Sequence, residues 1–264
     1  MITGKTIISY IEKLAGHSLY QDEGPQFGDI TKQISGITVC WMACPQAITS
    51  TAEKKHNFII CHESLTYPYP TFTEEKERQY LSWPTNTQRL SLLGKNDICL
   101  CRIHFSLDEL FIYDNFIKQI ELKEIQAAGT KSVFEKIYKI APMSYFELVK
   151  KIKTAVGMNN LRATRGSPDR IVETIGVAWG GLGLFVNVGY MQSLINLGPI
   201  DVMICGETDN YGMRFCKEIG IEVIETSHEI SENEGLRVFA DNVAKTFADI
   251  DVSFFENKNP WTVY

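Results

Sequence analysis

Residues 201–232 read DVMICGETDNYGMRFCKEIGIEVIETSHEISE, and this stretch decides the fold class. It predicts a short apolar strand at 201–205, a helix at 210–219, a second strand at 221–225 and a helix at 231–248. Strands that alternate with helices are typical of α/β proteins with largely parallel sheets. The alternation continues in both directions from this stretch, so we predict an α/β fold for the chain.

The remaining elements follow from the spacing of apolar residues and from turn-forming residues. We predict helices at 5–15, 45–55, 84–93, 116–125, 143–156 and 188–197, and strands at 34–41, 57–61, 97–105, 160–165, 171–178 and 250–255. Residues 20–29 predict a turn-rich loop. Gly180–Gly183 predicts a tight strand-to-helix turn, with a backbone site for a substrate phosphate as the alternative.

Length, charge and cysteine count limit the class of protein. A chain of 264 residues suits one large domain or two modest lobes. The net charge of −6 argues against nucleic acid as the main partner, and no stretch has the roughly 18 apolar residues of a membrane span. Seven cysteines without a secretory signal predict free thiols and a cytoplasmic location. Cys40 with Cys44, and Cys99 with Cys101, are alternatively a metal site or redox pairs, although core thiols are favoured.

Three groups of polar residues follow predicted strands, where ligands bind in open α/β sheets. His62 and Glu63 follow one strand, Asp108 follows another, and His228 and Glu232 follow a third. The last two are four residues apart, so they share one face of a helix. Imidazole nitrogens mixed with carboxylates suit zinc, manganese or iron. The plainer alternative is that these are polar loop residues and acids that complement a helix dipole.

The order of these motifs resembles the NIF-three-like dinuclear metal family, whose members are described as GTP cyclohydrolase 1 type 2 homologues. The loop Tyr20–Gly28 loosely resembles that family's Trp-Asp-Asn-x-Gly-x-Gln-x-Gly motif through Gly24, Gln26 and Gly28. The family's other motifs, in order, are His-His-Pro-Leu, His-Thr-Asn-Leu-Asp, Thr-Gly-Asp or Thr-Gly-Glu, and His-Tyr-Glu-Ser-Glu. They are similar to His62–Leu65, His104–Asp108, Cys205–Glu207 and His228–Glu232.

The resemblance implies two α/β lobes with a metal site in the cleft. Lobe one would span about 1–125 plus 225–264 and lobe two about 126–224. The implied partners are a small-molecule substrate and further copies of the chain in a homo-oligomer, possibly a hexamer. The implied cofactors are two divalent metal ions, zinc, manganese or iron, with five ligands: His62, Glu63, Asp108, His228 and Glu232.

The expected activity is metal-dependent hydrolysis, because two metal ions can activate a water and hold an electrophile. Asp108 and Glu232 are both candidates for a bridging carboxylate, and Glu207 and Tyr211 for proton transfer or substrate contact. Glu63 stands where the family usually has a second histidine, which leaves the metal's identity open. His104 is expected to orient the site rather than bind metal. The alternative function is a non-catalytic metal-binding or regulatory interaction protein.

Overall fold

The computed structural model describes residues 1–68, 79–130 and 132–262. The chain forms two compact units. The first comprises Met1–Phe111 and Gly235–Asn257, and the second comprises Ile112–Glu234 and Lys258–Tyr264. Whether they fold as separate lobes with the limits expected from the sequence stays a prediction. No helix in the described ranges is long and apolar enough to cross a bilayer.

The first unit is built on a five-stranded sheet of order β1-β4-β3-β2-β11. Only β1 is antiparallel to its neighbour, and the other three pairs are parallel. Its elements, in chain order, are α1 (Gly4–Ala15), β1 (Gly24–Phe27), β2 (Gly36–Cys40), α2 (Pro45–Glu53), β3 (Phe58–Cys61), α3 (Pro84–Lys95), β4 (Cys99–Arg102), α4 (Phe105–Leu107) and β11 (Asp251–Phe255). A π-helical turn at Asp108–Ile112 follows α4 directly.

The strands β2, β3 and β4 are buried along their whole length. Such continuous burial explains why their sequences are apolar runs rather than alternating patterns. Local signals set the flanking helices. Thr3 and Thr6 form a reciprocal cap at the start of α1, and Pro45 occupies the first turn of α2, where its missing N–H costs nothing.

The second unit is built on a six-stranded mixed sheet of order β5-β6-β8-β9-β10-β7. The pairs β8/β9 and β9/β10 are parallel and the other three are antiparallel. Its elements are α5 (Tyr113–Gln119), β5 (Glu124–Ala128), β6 (Lys136–Ser144), α6 (Tyr145–Ala155), β7 (Arg162–Ala163), β8 (Ile171–Ala178), a 3-10 turn (Phe185–Asn187), α7 (Val188–Leu197), β9 (Val202–Cys205), α8 (Asn210–Glu218) and β10 (Glu222–Glu225). Helix α9 (His228–Thr246) begins in this unit and ends in the first.

Strand register determines which residues leave each sheet together. In the first unit Cys61 pairs with Arg102, so the residues that follow β3 and β4 emerge at the same edge. In the second unit Ala178 pairs with Cys205, and Cys205 pairs with Glu225. The segments that follow β8, β9 and β10 therefore also emerge at one edge, which is where parallel sheets bind ligands.

Two expectations about secondary structure are wrong. Residues 20–29 are not wholly a loop, because Gly24–Phe27 pairs with β4 as the edge strand β1. The helix expected at 116–125 ends at Gln119. Glu121 then adopts the left-handed conformation, with φ of 60°, which terminates the helix, and the chain enters β5. β1 pairs with the distant strand β4, and β5 pairs with the strand that follows it in the chain, β6. In both cases strand pairing overrides local sequence preference.

All seven cysteines are free, as expected, and six of them are buried, the exception being the half-buried Cys44. Burial raises the pKa of the Cys61 thiol to about 12, and it also raises that of Cys40 and Cys205. These thiols are therefore protonated core groups. This favours the core-packing interpretation over redox pairs.

Candidate functional site

The first unit places two predicted ligands side by side. His62 follows β3, Asp108 begins the π-helical turn, and both are buried. The Nε2 atom of His62 lies 3.4 Å from Oδ1 of Asp108. On the other side of the ring, Nδ1 of His62 lies 3.8 Å from Oε1 of Glu63, which is also buried. The imidazole is therefore flanked by two carboxylates.

A hydrogen bond from Arg102 holds His62 in position. Its side chain is fully buried, and its Nε donates to the backbone carbonyl of His62 at 3.0 Å. Its Nη1 donates to the Asp22 carboxylate at 2.8 Å. Asp22 in turn accepts a hydrogen bond from Nδ1 of His104 at 3.1 Å. The bond with His104, aided by the Arg102 charge, lowers the pKa of Asp22 to about 2.

Glu23 holds the turn that leads from β4 into α4. Its Oε1 accepts the backbone N–H groups of His104 and Ser106, at 2.7 and 2.8 Å, and its Oε2 accepts the Ser106 hydroxyl at 2.6 Å. The position of the His104 ring, and of Asp108 one helical turn further on, is therefore fixed by the loop that carries Asp22 and Glu23.

The second unit holds the other predicted pair on the first turn of α9. Nε2 of His228 lies 3.3 Å from Oε1 of Glu232, four residues along the same helix face. Nδ1 of His228 donates to Oε2 of Glu207 at 3.0 Å, and this bond holds the pKa of Glu207 below its usual range. Glu207 comes from the segment after β9, so the shared sheet edge brings it to the histidine.

The glycine turn after β8 lies against this pair. Gly180 has φ of 53°, and a Cβ at this position would overlap Oε1 of Glu232 and lie 3.3 Å from Nε2 of His228. Its N–H donates to Ser231 Oγ at 2.9 Å, and its carbonyl accepts the N–H of Glu207 at 2.7 Å. The turn is therefore held in contact with the His228–Glu232 pair, and only glycine fits at position 180.

The spacing of both pairs suits a metal ion. Metal–ligand bonds of about 2.0–2.2 Å in tetrahedral geometry place neighbouring ligand atoms about 3.4 Å apart. The His62–Asp108 and His228–Glu232 separations are 3.4 and 3.3 Å. Among the described residues, His62, His104 and Asp108 also offer ligand atoms that all lie within 4.8 Å of one another. The donors are nitrogen and oxygen, the set that suits zinc, manganese and ferrous iron.

Comparison with known families identifies the chain. The model of the Duf34/NIF3 (NGG1p interacting factor 3) family matches residues 2–260. The chain belongs to the Duf34/NIF3 family. The resemblance expected from the motifs is thereby confirmed, and so is the mixed α/β fold.

A curated relative and two solved structures align with nearly the whole chain. A Clostridium perfringens protein named GTP cyclohydrolase 1 type 2 homolog is 24% identical over 266 residues, covering 96% of this chain and 95% of its own. The solved structure of Staphylococcus aureus protein SA1388 covers 100% of this chain and 99% of its own, with a TM-score of 0.77 and 16% identity. That of protein ybgI, of unknown function, covers 98% and 100%, with a TM-score of 0.78 and 20% identity. The structural likenesses show the fold.

The two residues expected to act in catalysis, Glu207 and Tyr211, have different surroundings. Glu207 contacts His228, as described above. Tyr211 lies in the first turn of α8 and is 70% exposed. Its ring packs against that of Phe185 with 5.5 Å between ring centroids. The carboxylate of Asp209 accepts the N–H groups of Phe185 and Gly212, which joins the start of α8 to the 3-10 turn at Phe185–Asn187.

The sequence did not predict the buried charged residues that hold His62 and His104 in position. Asp22 and Arg102 carry no ligand motif, and they are 80 residues apart in the chain. The available signal was an arginine inside an apolar strand, since a buried charge needs a partner. Glu225 was also missed. It is buried at the end of β10, and burial raises its pKa to about 7 despite the Arg162 guanidinium 2.8 Å away.

Proposed function

We propose that the protein binds two divalent metal ions through five ligands and uses them to hydrolyse a small substrate. The proposed ligands are His62, Glu63, Asp108, His228 and Glu232. The observation that carries the proposal is the pair of imidazole–carboxylate separations, 3.4 and 3.3 Å, both at the spacing of ligands around one ion. Family membership supports it, because the Duf34/NIF3 model matches residues 2–260, a range that contains all five proposed ligands.

Bound divalent ions would supply Lewis acidity, polarising the substrate and lowering the pKa of a water. The chain's own residues do the rest. Glu207 fixes the His228 ring through Nδ1, so that Nε2 is the nitrogen directed at Glu232. Arg102 fixes the backbone carbonyl of His62. Asp108 and Glu232 would each supply a carboxylate ligand to the ions. Glu207 and the exposed Tyr211 are proposed to contact substrate or carry its proton.

The proposed substrate is a small molecule with a hydrolysable bond. GTP is the first compound to test, because the Clostridium perfringens relative is named GTP cyclohydrolase 1 type 2 homolog. Opening of the guanine imidazole ring is a hydrolysis, and it consumes water without an oxidant or reductant. We further propose that the chain assembles into a homo-oligomer and acts in the cytoplasm.

Elemental analysis of purified variants tests the ligand assignment. His228→Ala and Glu232→Gln should lose metal while the far-ultraviolet circular dichroism spectrum stays unchanged. Glu229→Gln is the matched control, because Glu229 is equally buried in the same helical turn but its carboxylate accepts the Ser227 hydroxyl. Full metal content in folded His228→Ala would refute the assignment.

A turnover screen separates an enzyme from a metal-binding regulator. The metal-loaded protein is incubated with GTP, phosphoesters, peptides and amides, and the products are followed by mass spectrometry. We expect hydrolysis of at least one class, and loss of that activity in Glu232→Gln. Full metal occupancy without turnover of any compound would contradict the hydrolase proposal and favour the non-catalytic function.

Glu63 bears on which metal is bound. With Asp108 and Glu232 it makes three carboxylates to two imidazoles among the five proposed ligands, a donor set that favours manganese or iron over zinc. Glu63→His should keep the fold and shift the bound metal toward zinc when the protein is loaded from an equimolar mixture. An unchanged metal ratio would show that Glu63 is not a ligand.

A further inference from the structure

His104 has the surroundings of a metal ligand rather than those of a residue that orients one. It lies between β4 and α4, and its ring packs on that of His62 with 4.7 Å between centroids and 59° between planes. An orienting residue usually accepts a hydrogen bond from the ligand's second nitrogen through a carboxylate or a carbonyl. A tilted imidazole ring in contact with the His62 ring does not have that geometry.

The hydrogen bond on the other side of His104 is the one that metal-bound histidines make. Its Nδ1 donates to the Asp22 carboxylate at 3.1 Å, and Arg102 pairs with the same Asp22 oxygen at 2.8 Å. The proposed ligand His228 has the same arrangement in the second unit, with Nδ1 on Glu207 at 3.0 Å. In both cases a carboxylate fixes the tautomer, so Nε2 is the ring nitrogen that would bind an ion.

The ligand atoms of His62, His104 and Asp108 are also close enough to surround a single ion. All three lie within 4.8 Å of one another, and the His62–Asp108 separation is 3.4 Å. Bonds of about 2.1 Å place ligand atoms from about 3.0 Å apart at a right angle to about 4.2 Å apart across the ion. The ring of His104 therefore needs only a small adjustment to complete the set.

We infer that His104 binds one of the two ions directly, through Nε2, together with His62 and Asp108. This rests on the proposed function, because it assigns a sixth ligand to the same ions. The ion would have two imidazoles and one carboxylate from the chain, a combination found at zinc and ferrous-iron sites with positions left for water or substrate. It also makes the full donor set three imidazoles and three carboxylates.

Cobalt substitution with proton NMR counts the histidine ligands directly. A histidine bound to paramagnetic Co²⁺ through one nitrogen keeps an N–H on the other, and this proton gives a strongly shifted signal that disappears in D₂O. We expect three such signals, from His62, His104 and His228. His104→Gln should remove one signal and weaken binding of one Co²⁺ by at least about 10-fold, because losing a ligand costs no less than losing its hydrogen-bonded partner.

Two further variants keep the test decisive. His17→Gln is the matched control, since His17 is a partly exposed histidine of the same unit that contacts the Glu109 carboxylate at 3.2 Å. It should leave all three signals in place. Asp22→Asn keeps a hydrogen-bond acceptor beside Nδ1, and it should move one signal while the other two stay. It tests the assignment even if His104→Gln does not fold.

The outcomes separate this inference from the proposed function. Two signals in the wild type, both unaffected by Asp22→Asn and His104→Gln, would overturn the His104 ligand and leave the two-ion proposal standing. A folded protein that takes up no Co²⁺ would overturn both. Three signals without turnover of any substrate would support the ligand and count only against hydrolysis.

Discussion

Replacing Gly180 with alanine tests whether His228 and Glu232 hold an ion together. The added Cβ would overlap Oε1 of Glu232 and lie 3.3 Å from Nε2 of His228. The turn cannot move away easily, because hydrogen bonds to Ser231 and Glu207 fix its N–H and carbonyl. The Glu232 carboxylate must therefore leave its position, and an ion would lose that ligand.

The expected size of the effect follows from linkage. At a metal concentration about 100 times Kd, binding adds about 2.7 kcal/mol to the free energy of unfolding. If displacement of Glu232 weakens binding about 100-fold, the same concentration adds only about 0.4 kcal/mol. Alanine in a left-handed conformation also costs about 1–2 kcal/mol, with or without metal. Gly157→Ala controls for that cost, since Gly157 has φ of 67° and nothing within 4 Å of an added Cβ.

Urea unfolding with EDTA and with Mn²⁺ at about 100 times the wild-type Kd measures both terms. Without metal, Gly180→Ala and Gly157→Ala should both be destabilised. With Mn²⁺, the wild type and Gly157→Ala should regain about 2.7 kcal/mol and Gly180→Ala less than about 1 kcal/mol. An equal gain in the two variants would refute the reasoning, because Glu232 would then be no ligand.

Glu207→Gln should weaken metal binding about 10–100-fold in a chelator competition, because it disturbs the carboxylate on His228; unchanged affinity would show that Glu207 does not orient the ring. Glu225 is buried with a pKa of about 7, facing Arg162, Glu207 and Glu229, so the folded state keeps a proton that the unfolded state loses above pH 4.5. Stability should therefore fall by up to about 3 kcal/mol between pH 4.5 and 7 in metal-free protein, and Glu225→Gln should flatten that slope in urea unfolding; a slope that is the same in both proteins would contradict this. Light scattering should give a multiple of the 29.9 kDa chain mass, and a monomer would contradict the oligomer proposal.

Local sequence patterns predicted the elements whose signals are local. The strand expected at 171–178 and the helix expected at 188–197 have those limits in the structure. The spacing of apolar residues within each element, and the residues next to its ends, indicate where it begins and ends. The strands β1, β5 and β6 were not predicted. β1 forms by pairing with β4 much later in the chain, and β5 and β6 pair with each other, with β6 also pairing with β8.

In the candidate site too, the features set by local sequence were predicted and those set by distant residues were not. His62 and Asp108, and His228 and Glu232, were predicted as neighbours because they follow strand ends or share a helix face. The surroundings of His104 could not be predicted, because they depend on Asp22, 82 residues earlier in the chain. The sequence alone indicates which polar residues form a site. It does not show which buried charged residue each of them contacts.

The free thiols can report local unfolding of this protein. Cys44 is half-buried, and the other six thiols are shielded from reagent while the protein stays folded. Four of the shielded thiols belong to the first unit, Cys40, Cys61, Cys99 and Cys101, and two to the second, Cys205 and Cys216. Pulsed alkylation followed by peptide mass spectrometry would therefore time the exposure of each sheet separately in one untagged sample. The order in which the masses rise would tell which sheet opens first.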